Sequence, residues 1–119
     1  MTLEDCYRNI GADYQGTVQR LFSGAFVERM VRKFLDDPSF QKLKEAMDKG
    51  EREEAFQAAH TLKGVSQNLG FTNLYEPGAE LTQCLRKDME PGAWELFKKT
   101  EEEYRKTTEA VRAFFDQGV

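Results

Sequence analysis

The sequence predicts an all-α protein, an antiparallel four-helix bundle preceded by one or two short helices. Helix breakers are sparse, with three prolines and nine scattered glycines in 119 residues. The stretches between them are rich in Glu, Lys, Leu, Ala and Phe, the profile of an all-α protein. Their apolar residues recur at steps of three and four, as along one face of a helix. The length suits a single domain over residues 1–119, with about 1–12 as an N-terminal extension and a four-helix core of about 38–116.

Two helices are predicted before the core. Asp13 is a suitable N-cap for a short helix from about Tyr14 to Leu21. A second helix is predicted from about Gly24 until Asp37 meets Pro38, because the residue before a proline disfavours helical backbone. Its apolar residues follow helical spacing: Phe26, Val27, Met30, Val31, Phe34 and Leu35.

The third and fourth helices meet at a glycine. Asp37 as N-cap and Pro38 at the first helical position open the third helix, and Gly50 ends it. We expect its inward-facing residues to be Phe40, Leu43, Ala46 and Met47. The fourth helix is predicted from about Glu51 to Leu69, with carboxylates in its first turn and a stop at Gly70.

The last two helices complete the bundle. The fifth is predicted to begin near Asn73 and to tolerate Pro77 in or near its first turn. Its expected buried residues are Leu74, Leu81, Cys84 and Leu85. The sixth follows Pro91 and Gly92. Its apolar positions are assigned to the bundle core, because helical spacing explains them without a cofactor site: Trp94, Phe97, Tyr104, Val111 and Phe115.

His60 is the only histidine in the chain. At about 100° per residue, one face of the fourth helix is almost wholly apolar, and His60 lies on the other face. The apolar face holds Ala55, Ala58, Leu62, Val65 and Leu69. Because an apolar face must be buried, we expect the imidazole to face solvent. The residues predicted to share its face are Glu53, Phe56, Gln57, Lys63, Gly64 and Gln67.

Two neighbours of His60 fit phosphoryl chemistry. Lys63 lies one turn along, where its ammonium can reach oxygens of a group on the ring. Gly64, at i+4, costs the helix roughly 1 kcal/mol relative to alanine, which indicates that something must approach closely. Neutral imidazole is a good nucleophile near pH 7 and forms covalent intermediates. The sequence therefore indicates a solvent-facing phosphoryl carrier.

The stretch from Ala58 to Gly70 resembles the His-x-Leu-Lys-Gly-x-x-x-x-Leu-Gly signature of histidine-containing phosphotransfer (HPt) domains of two-component phosphorelays. The matching residues are His60, Leu62, Lys63, Gly64, Leu69 and Gly70. The resemblance implies that the histidine takes a phosphoryl group from one receiver-domain aspartate and passes it to another. It also implies response-regulator receiver domains and a hybrid sensor histidine kinase as partners. The chain then needs no cofactor of its own, and Mg²⁺ belongs to the receiver.

Residues around His60 are candidates for partner docking or for support of the imidazole. On the same helix, Phe56 is expected to be partly buried with a docking edge, and Gln57 and Gln67 are site contacts or plain surface residues. If the fourth and fifth helices form a hairpin turning near Phe71, Thr82 lies opposite His60, with Gln83 and Arg86 nearby. If the loop differs by one residue, Gln83 faces His60 in place of Thr82.

Composition excludes several other classes. A net charge of −4 with no basic stripe argues against nucleic acid as a partner. The acidic N-terminus lacks the apolar run of a signal peptide, and no segment approaches the ~20 apolar residues that span a membrane, so we expect a cytoplasmic monomer. Cys6 and Cys84 are far apart and are expected to be reduced thiols. One histidine and two isolated cysteines give too few ligands for a transition-metal site.

Three other classes of function fit the sequence less well. A histidine-dependent hydrolase lacks a convincing Ser/His/Asp or Cys/His arrangement, and no phosphate-binding glycine-rich loop indicates an ATP site. A non-catalytic helical adaptor would be marked by loss of the histidine or lysine, and both are present. The phosphoacceptor module of a chemotaxis-type kinase is the remaining alternative. Because no kinase or regulatory region follows residue 119, we expect a stand-alone relay intermediate.

Overall fold

The computed structural model describes residues 1–89 and 91–117, and this part of the chain contains seven α-helices and no strand. Short turns join successive helices, and α4 packs on α5, α5 on α6 and α6 on α7. The predicted all-α class and antiparallel four-helix bundle are confirmed. The helices are α1 (Leu3–Ile10), α2 (Tyr14–Leu21), α3 (Gly24–Phe34), α4 (Ser39–Lys49), α5 (Arg52–Asn68), α6 (Thr72–Cys84) and α7 (Pro91–Asp116).

Three helices, not one or two, precede the bundle, because the N-terminal extension contains α1. Thr2 and Asp5 form a capping box at its start, each side chain accepting from the other's backbone N–H. The helix buries Leu3, Cys6 and Tyr7 and packs against α7. A threonine three residues before an acidic residue was the sequence signal for this helix.

Most predicted helix ends are found, and two differ. Asp13 caps α2 by accepting from the Gly16 N–H. Gly50 adopts the left-handed backbone expected after α4, with φ of 68°. However, α4 begins at Ser39, whose N–H donates to the Asp37 carboxylate at 2.8 Å, so Pro38 precedes the first helical residue. Pro77 is the sixth residue of α6, just beyond the first turn, because that helix begins at Thr72, one residue before the predicted start.

Aromatic side chains join α3 and α4 to the rest of the core. The Phe40 ring stacks on Tyr104 and Phe97, with centroid distances of 4.2 and 5.9 Å, and so joins α4 to α7. Phe34 packs against Phe71 at 5.1 Å and brings α3 onto the same core. Trp94 was assigned to the core, but it is 38% exposed at the start of α7, where only one edge meets Phe97.

The N-terminal segment also closes the C-terminal end of α5. The last carbonyls of a helix have no partner within it and need external donors. Arg20 donates to the carbonyls of Gln67 and Asn68, both at 3.1 Å, and the Tyr7 hydroxyl donates to that of Leu69 at 2.7 Å. The Asp13 N–H donates to the Gly70 carbonyl at 2.8 Å. Residues from α1 and α2 thus fix the end of α5 in space.

The corner between α2 and α3 is unusual. Phe22 follows α2 with φ of 72° and is the one non-glycine residue with positive φ in the described part of the chain. A left-handed backbone costs a residue with a side chain about 1 kcal/mol or more. The ring is also 91% exposed.

No helix among the described residues is long and apolar enough to cross a membrane.

Tyr7→Phe should lower the free energy of unfolding by about 1–3 kcal/mol, because the buried Leu69 carbonyl loses its donor. Burial raises the pKa of Tyr7 far above its usual range, so the native phenol is protonated and donates. Thermal melting should show a fall in Tm of about 5 °C or more. Tyr75→Phe is the matched control, since its hydroxyl makes no hydrogen bond within the described residues. Equal Tm values for Tyr7→Phe and the parent would contradict this role.

Candidate functional site

α5 presents one buried and one exposed face. Its buried residues are Ala55, Ala58, Ala59, Leu62 and Ser66. His60 is exposed, as predicted, and it makes no hydrogen bond or salt bridge with any described residue. Its nearest ring neighbour is Phe56, half-buried as expected, with centroids 6.0 Å apart. Because no described residue forms a hydrogen bond or salt bridge with the imidazole, both of its nitrogens are available to a partner. Val65, expected on the buried face, lies at its margin and is half-buried.

Lys63 and Gly64 flank His60 on the C-terminal side. Lys63 is half-buried and forms no salt bridge within the described residues. Gly64 is exposed, and a Cβ built on it meets no atom within 4 Å. Internal helix packing therefore does not require a glycine at this position. Gln67, one turn further along, is also exposed.

The α6 side of the site differs from the sequence-based expectation. Thr82 was placed opposite His60, but it is 1% exposed and its hydroxyl donates to the Gly78 carbonyl of its own helix at 2.7 Å. The side chain is directed inward, because Thr82 belongs to the buried stripe of α6 with Leu74, Gly78 and Leu81. Thr82 is therefore not available to a docking partner.

Gln83 and Arg86 supply the exposed surface on this side. Gln83 accepts a hydrogen bond from the Arg86 guanidinium at 3.1 Å. That guanidinium lies 5.7 Å from the centre of the Phe56 ring, and Phe56 in turn lies beside His60. The four residues form a continuous series that crosses from α5 to α6. Sequence reasoning listed all four and missed that the Phe56 ring connects them.

Gln57 lies on the other flank of His60. It is exposed and lines an open groove of about 570 Å³ between α4 and α5. Its carbonyl accepts from the Thr61 hydroxyl at 3.0 Å. Lys42 and Lys49 line the same groove from α4, together with Glu45. Gln57 thus extends the exposed site toward α4.

Other reactive groups do not form a second site. Cys6 is buried, and burial raises the pKa of its thiol to about 11, so it is not a thiolate at neutral pH. Cys84 is a free thiol on α6, as expected. No group of three or more His, Cys, Asp or Glu residues within residues 1–89 and 91–117 is arranged to hold a metal ion.

In a comparison with protein families, residues 29–114 match the Hpt domain. Comparison with curated proteins gives no match, and comparison with solved structures gives none. The matched segment contains all of α4, α5 and α6 and almost all of α7, and it includes every residue of the site described above. Because the match covers well over half of the chain, this protein belongs to the Hpt domain family, the phosphocarrier modules of histidine phosphotransfer in phosphorelays.

Proposed function

We propose that this protein carries a phosphoryl group on His60 between the aspartates of receiver domains in a two-component phosphorelay. The observation that carries the proposal is the exposed imidazole of the only histidine in a chain of the Hpt family, which has no hydrogen-bond partner among the described residues. Lys63 and the open space at Gly64 support it from the next turn of α5. The donor of the phosphoryl group is a hybrid sensor histidine kinase or its receiver, and the protein acts as a monomer.

In the proposed transfer, the lone pair of one imidazole nitrogen forms the N–P bond as the P–O bond of the receiver's aspartyl phosphate breaks. The receiver keeps its carboxylate, and the other ring nitrogen keeps its proton. The onward transfer reverses these bond changes with a second aspartate. In the transition state of the transfer, the phosphoryl group carries negative charge on its three equatorial oxygens. His60 contributes the nucleophile, and the divalent cation that binds those oxygens is held by the receiver.

Lys63 and Gly64 have separate roles in this proposal. Residues three apart on a helix have Cβ atoms about 5–6 Å apart, so the Lys63 ammonium can approach oxygens on a phosphorylated His60. With no salt bridge among the described residues, its charge is not already neutralised by a carboxylate. Gly64 leaves clearance for the partner backbone. The proposed docking rim consists of exposed or half-buried residues around Lys63 and Gly64, which are Phe56, Gln57, Gln67, Gln83 and Arg86.

His60→Gln should abolish phosphoryl labelling by receivers and by phosphoramidate, because no second histidine is present. Its unfolding free energy should stay within about 0.5 kcal/mol of the parent, since an exposed side chain adds little to packing. Radiolabel retention and thermal melting measure the two effects. The parent label should be acid-labile and alkali-stable, and ATP with Mg²⁺ alone should give none. Label that persists in the variant would refute the assignment.

Lys63→Ala should slow transfer from a phosphorylated receiver by about tenfold or more, because it removes a cation beside the developing phosphoryl charge. Lys63→Arg keeps the charge, so its transfer rate should fall less than that of Lys63→Ala. Folding should be little affected, because Lys63 forms no salt bridge among the described residues that its loss would break. Lys98→Ala, which removes an exposed lysine of α7, is the matched control and should transfer at the parent rate. If the two alanine variants behave alike in rapid-quench kinetics, Lys63 is only a surface charge.

Gly64→Ala should raise the unfolding free energy by roughly 1 kcal/mol, because alanine is the better helix former and its Cβ meets no atom. Gly64→Gln should remain folded and accept phosphoryl from phosphoramidate, yet transfer poorly from a receiver. Gly70→Ala is the contrasting variant. It should destabilise, since Gly70 has φ of 71° and an added Cβ would overlap the Thr17 hydroxyl and lie 2.6 Å from the Asp13 carbonyl. Unfolding of Gly64→Gln would show that this glycine serves packing instead.

A further inference from the structure

Arg52 is the first residue of α5, and its side chain closes the end of a different helix. α6 ends at Cys84, and the carbonyls at the end of a helix have no donor within it. One nitrogen of the Arg52 guanidinium donates to the Leu85 carbonyl at 2.7 Å and to the Arg86 carbonyl at 2.9 Å. The Arg52 side chain is half-buried between the two helices that it joins. The start of α5 thus fixes the turn that follows α6.

This turn carries Arg86. Arg86 lies two residues beyond Cys84, the last residue of α6, so the helix ladder alone does not fix its backbone. Helix ends fray unless their free carbonyls find donors. The Arg86 N–H donates to the Gln83 carbonyl at 3.3 Å, and the Arg86 carbonyl receives the shorter bond from Arg52. Arg52 therefore sets the place from which the Arg86 side chain projects.

The Arg86 side chain returns to the helix that holds its backbone. Arg52, Phe56 and His60 follow one another at four-residue steps along one side of α5. The Arg86 guanidinium lies 5.7 Å from the centre of the Phe56 ring, and the centre of that ring lies 6.0 Å from that of the imidazole. Arg86 is thus held through its main chain at the start of α5, and its charge lies one turn closer to His60.

The Arg86 charge is exposed and is not neutralised by a described carboxylate. Its guanidinium forms no salt bridge among the described residues, and its hydrogen-bond partner, the Gln83 side chain, is neutral. Asp88 is the nearest acidic residue along the chain. A receiver brings to His60 an acceptor or phosphorylated aspartate and the carboxylates that hold its metal ion. A cation at the edge of the site favours this encounter.

We propose that Arg52 is a positioning residue for phosphoryl transfer, which holds Arg86 where its charge meets the incoming receiver. This inference rests on the proposed function. Arg52 lies about two helical turns, or ~12 Å, before His60, so it acts through the main chain of Arg86 and not on the imidazole. Without the two hydrogen bonds, the turn after α6 frays and Arg86 leaves the Phe56 ring. The receiver then binds more weakly, while the chemistry at His60 is unchanged.

A double-mutant cycle tests this coupling, with receiver domains from the same genome that are phosphorylated by a small phosphodonor. Arg86→Met should raise KM for transfer to His60 by about tenfold with kcat nearly unchanged, as for a charge at the rim of an interface. Arg52→Met should raise KM by about threefold to tenfold, and Arg52→Lys, which keeps one donor group, should recover most of this loss. The double variant should have the KM of Arg86→Met alone, because no guanidinium then remains to be positioned.

Arg20→Met is the matched control. Arg20 donates to the carbonyls of Gln67 and Asn68, so its loss also frees two carbonyls at a helix end, away from Arg86. Any effect of Arg20→Met on KM should multiply with that of Arg86→Met. The Arg52 variants should stay folded, since the hydrogen bond to the Arg86 carbonyl is exposed and water can replace it. Circular dichroism checks that every variant is folded at the temperature of the kinetics.

Labelling by phosphoramidate separates this inference from the proposed function. If the parent accepts no phosphoryl group from phosphoramidate or from any receiver, the proposed function fails, and the role of Arg52 fails with it. If the parent is labelled but Arg52→Met or Arg86→Met keeps the parent KM with every receiver, the positioning role alone is refuted. Two single effects that multiply in the double variant would also overturn it, because Arg52 would then act independently of Arg86. Coupled KM effects with phosphoramidate labelling at the parent rate would support it.

Discussion

The direction of His60 depends on the burial of the opposite face of α5. Ala55, Ala59 and Leu62 have at most 1% of their surface exposed, because α4 and α6 pack against that side of the helix. Rotating α5 by half a turn would expose these side chains and bury the His60 imidazole, and both changes are unfavourable. The core therefore holds the proposed phosphoacceptor outward. The residues that share the exposed face of α5 with His60 then form the rest of the site on that helix.

A second constraint acts along the axis of α5. The carbonyls at its C-terminal end receive hydrogen bonds from Tyr7, Asp13 and Arg20, which all precede the bundle. Gly70 can pack tightly against Thr17 only because it has no side chain. The N-terminal segment thus satisfies the end of the helix and fixes the position of the helix that carries His60.

The parts of the fold that sequence predicted are those controlled by local periodicity and end signals. α2 and α5 were predicted closely, because their end signals are local. The Asp13 side chain caps α2, and Gly50 and Gly70 adopt left-handed backbone on either side of α5. The burial of Thr82 was not predicted, because a hairpin count gives the level of a residue along α6 but not the direction of its side chain. Trp94 follows the core spacing but lies at the start of its helix, where little covers it. The left-handed backbone of Phe22 was not predicted, because apolar periodicity does not report the backbone conformation at a helix end.

The most direct test of the account is to find the phosphoryl group after transfer from a phosphorylated receiver. Trypsin cleaves after Arg52 and Lys63, so the only histidine lies in the peptide of residues 53–63. Tandem mass spectrometry at alkaline pH should find a single phosphorylated peptide, 53–63, with the modification on His60, and brief acid treatment should remove it. A phosphoryl group on any other peptide, or no modification with receivers that are themselves fully phosphorylated, would contradict the account.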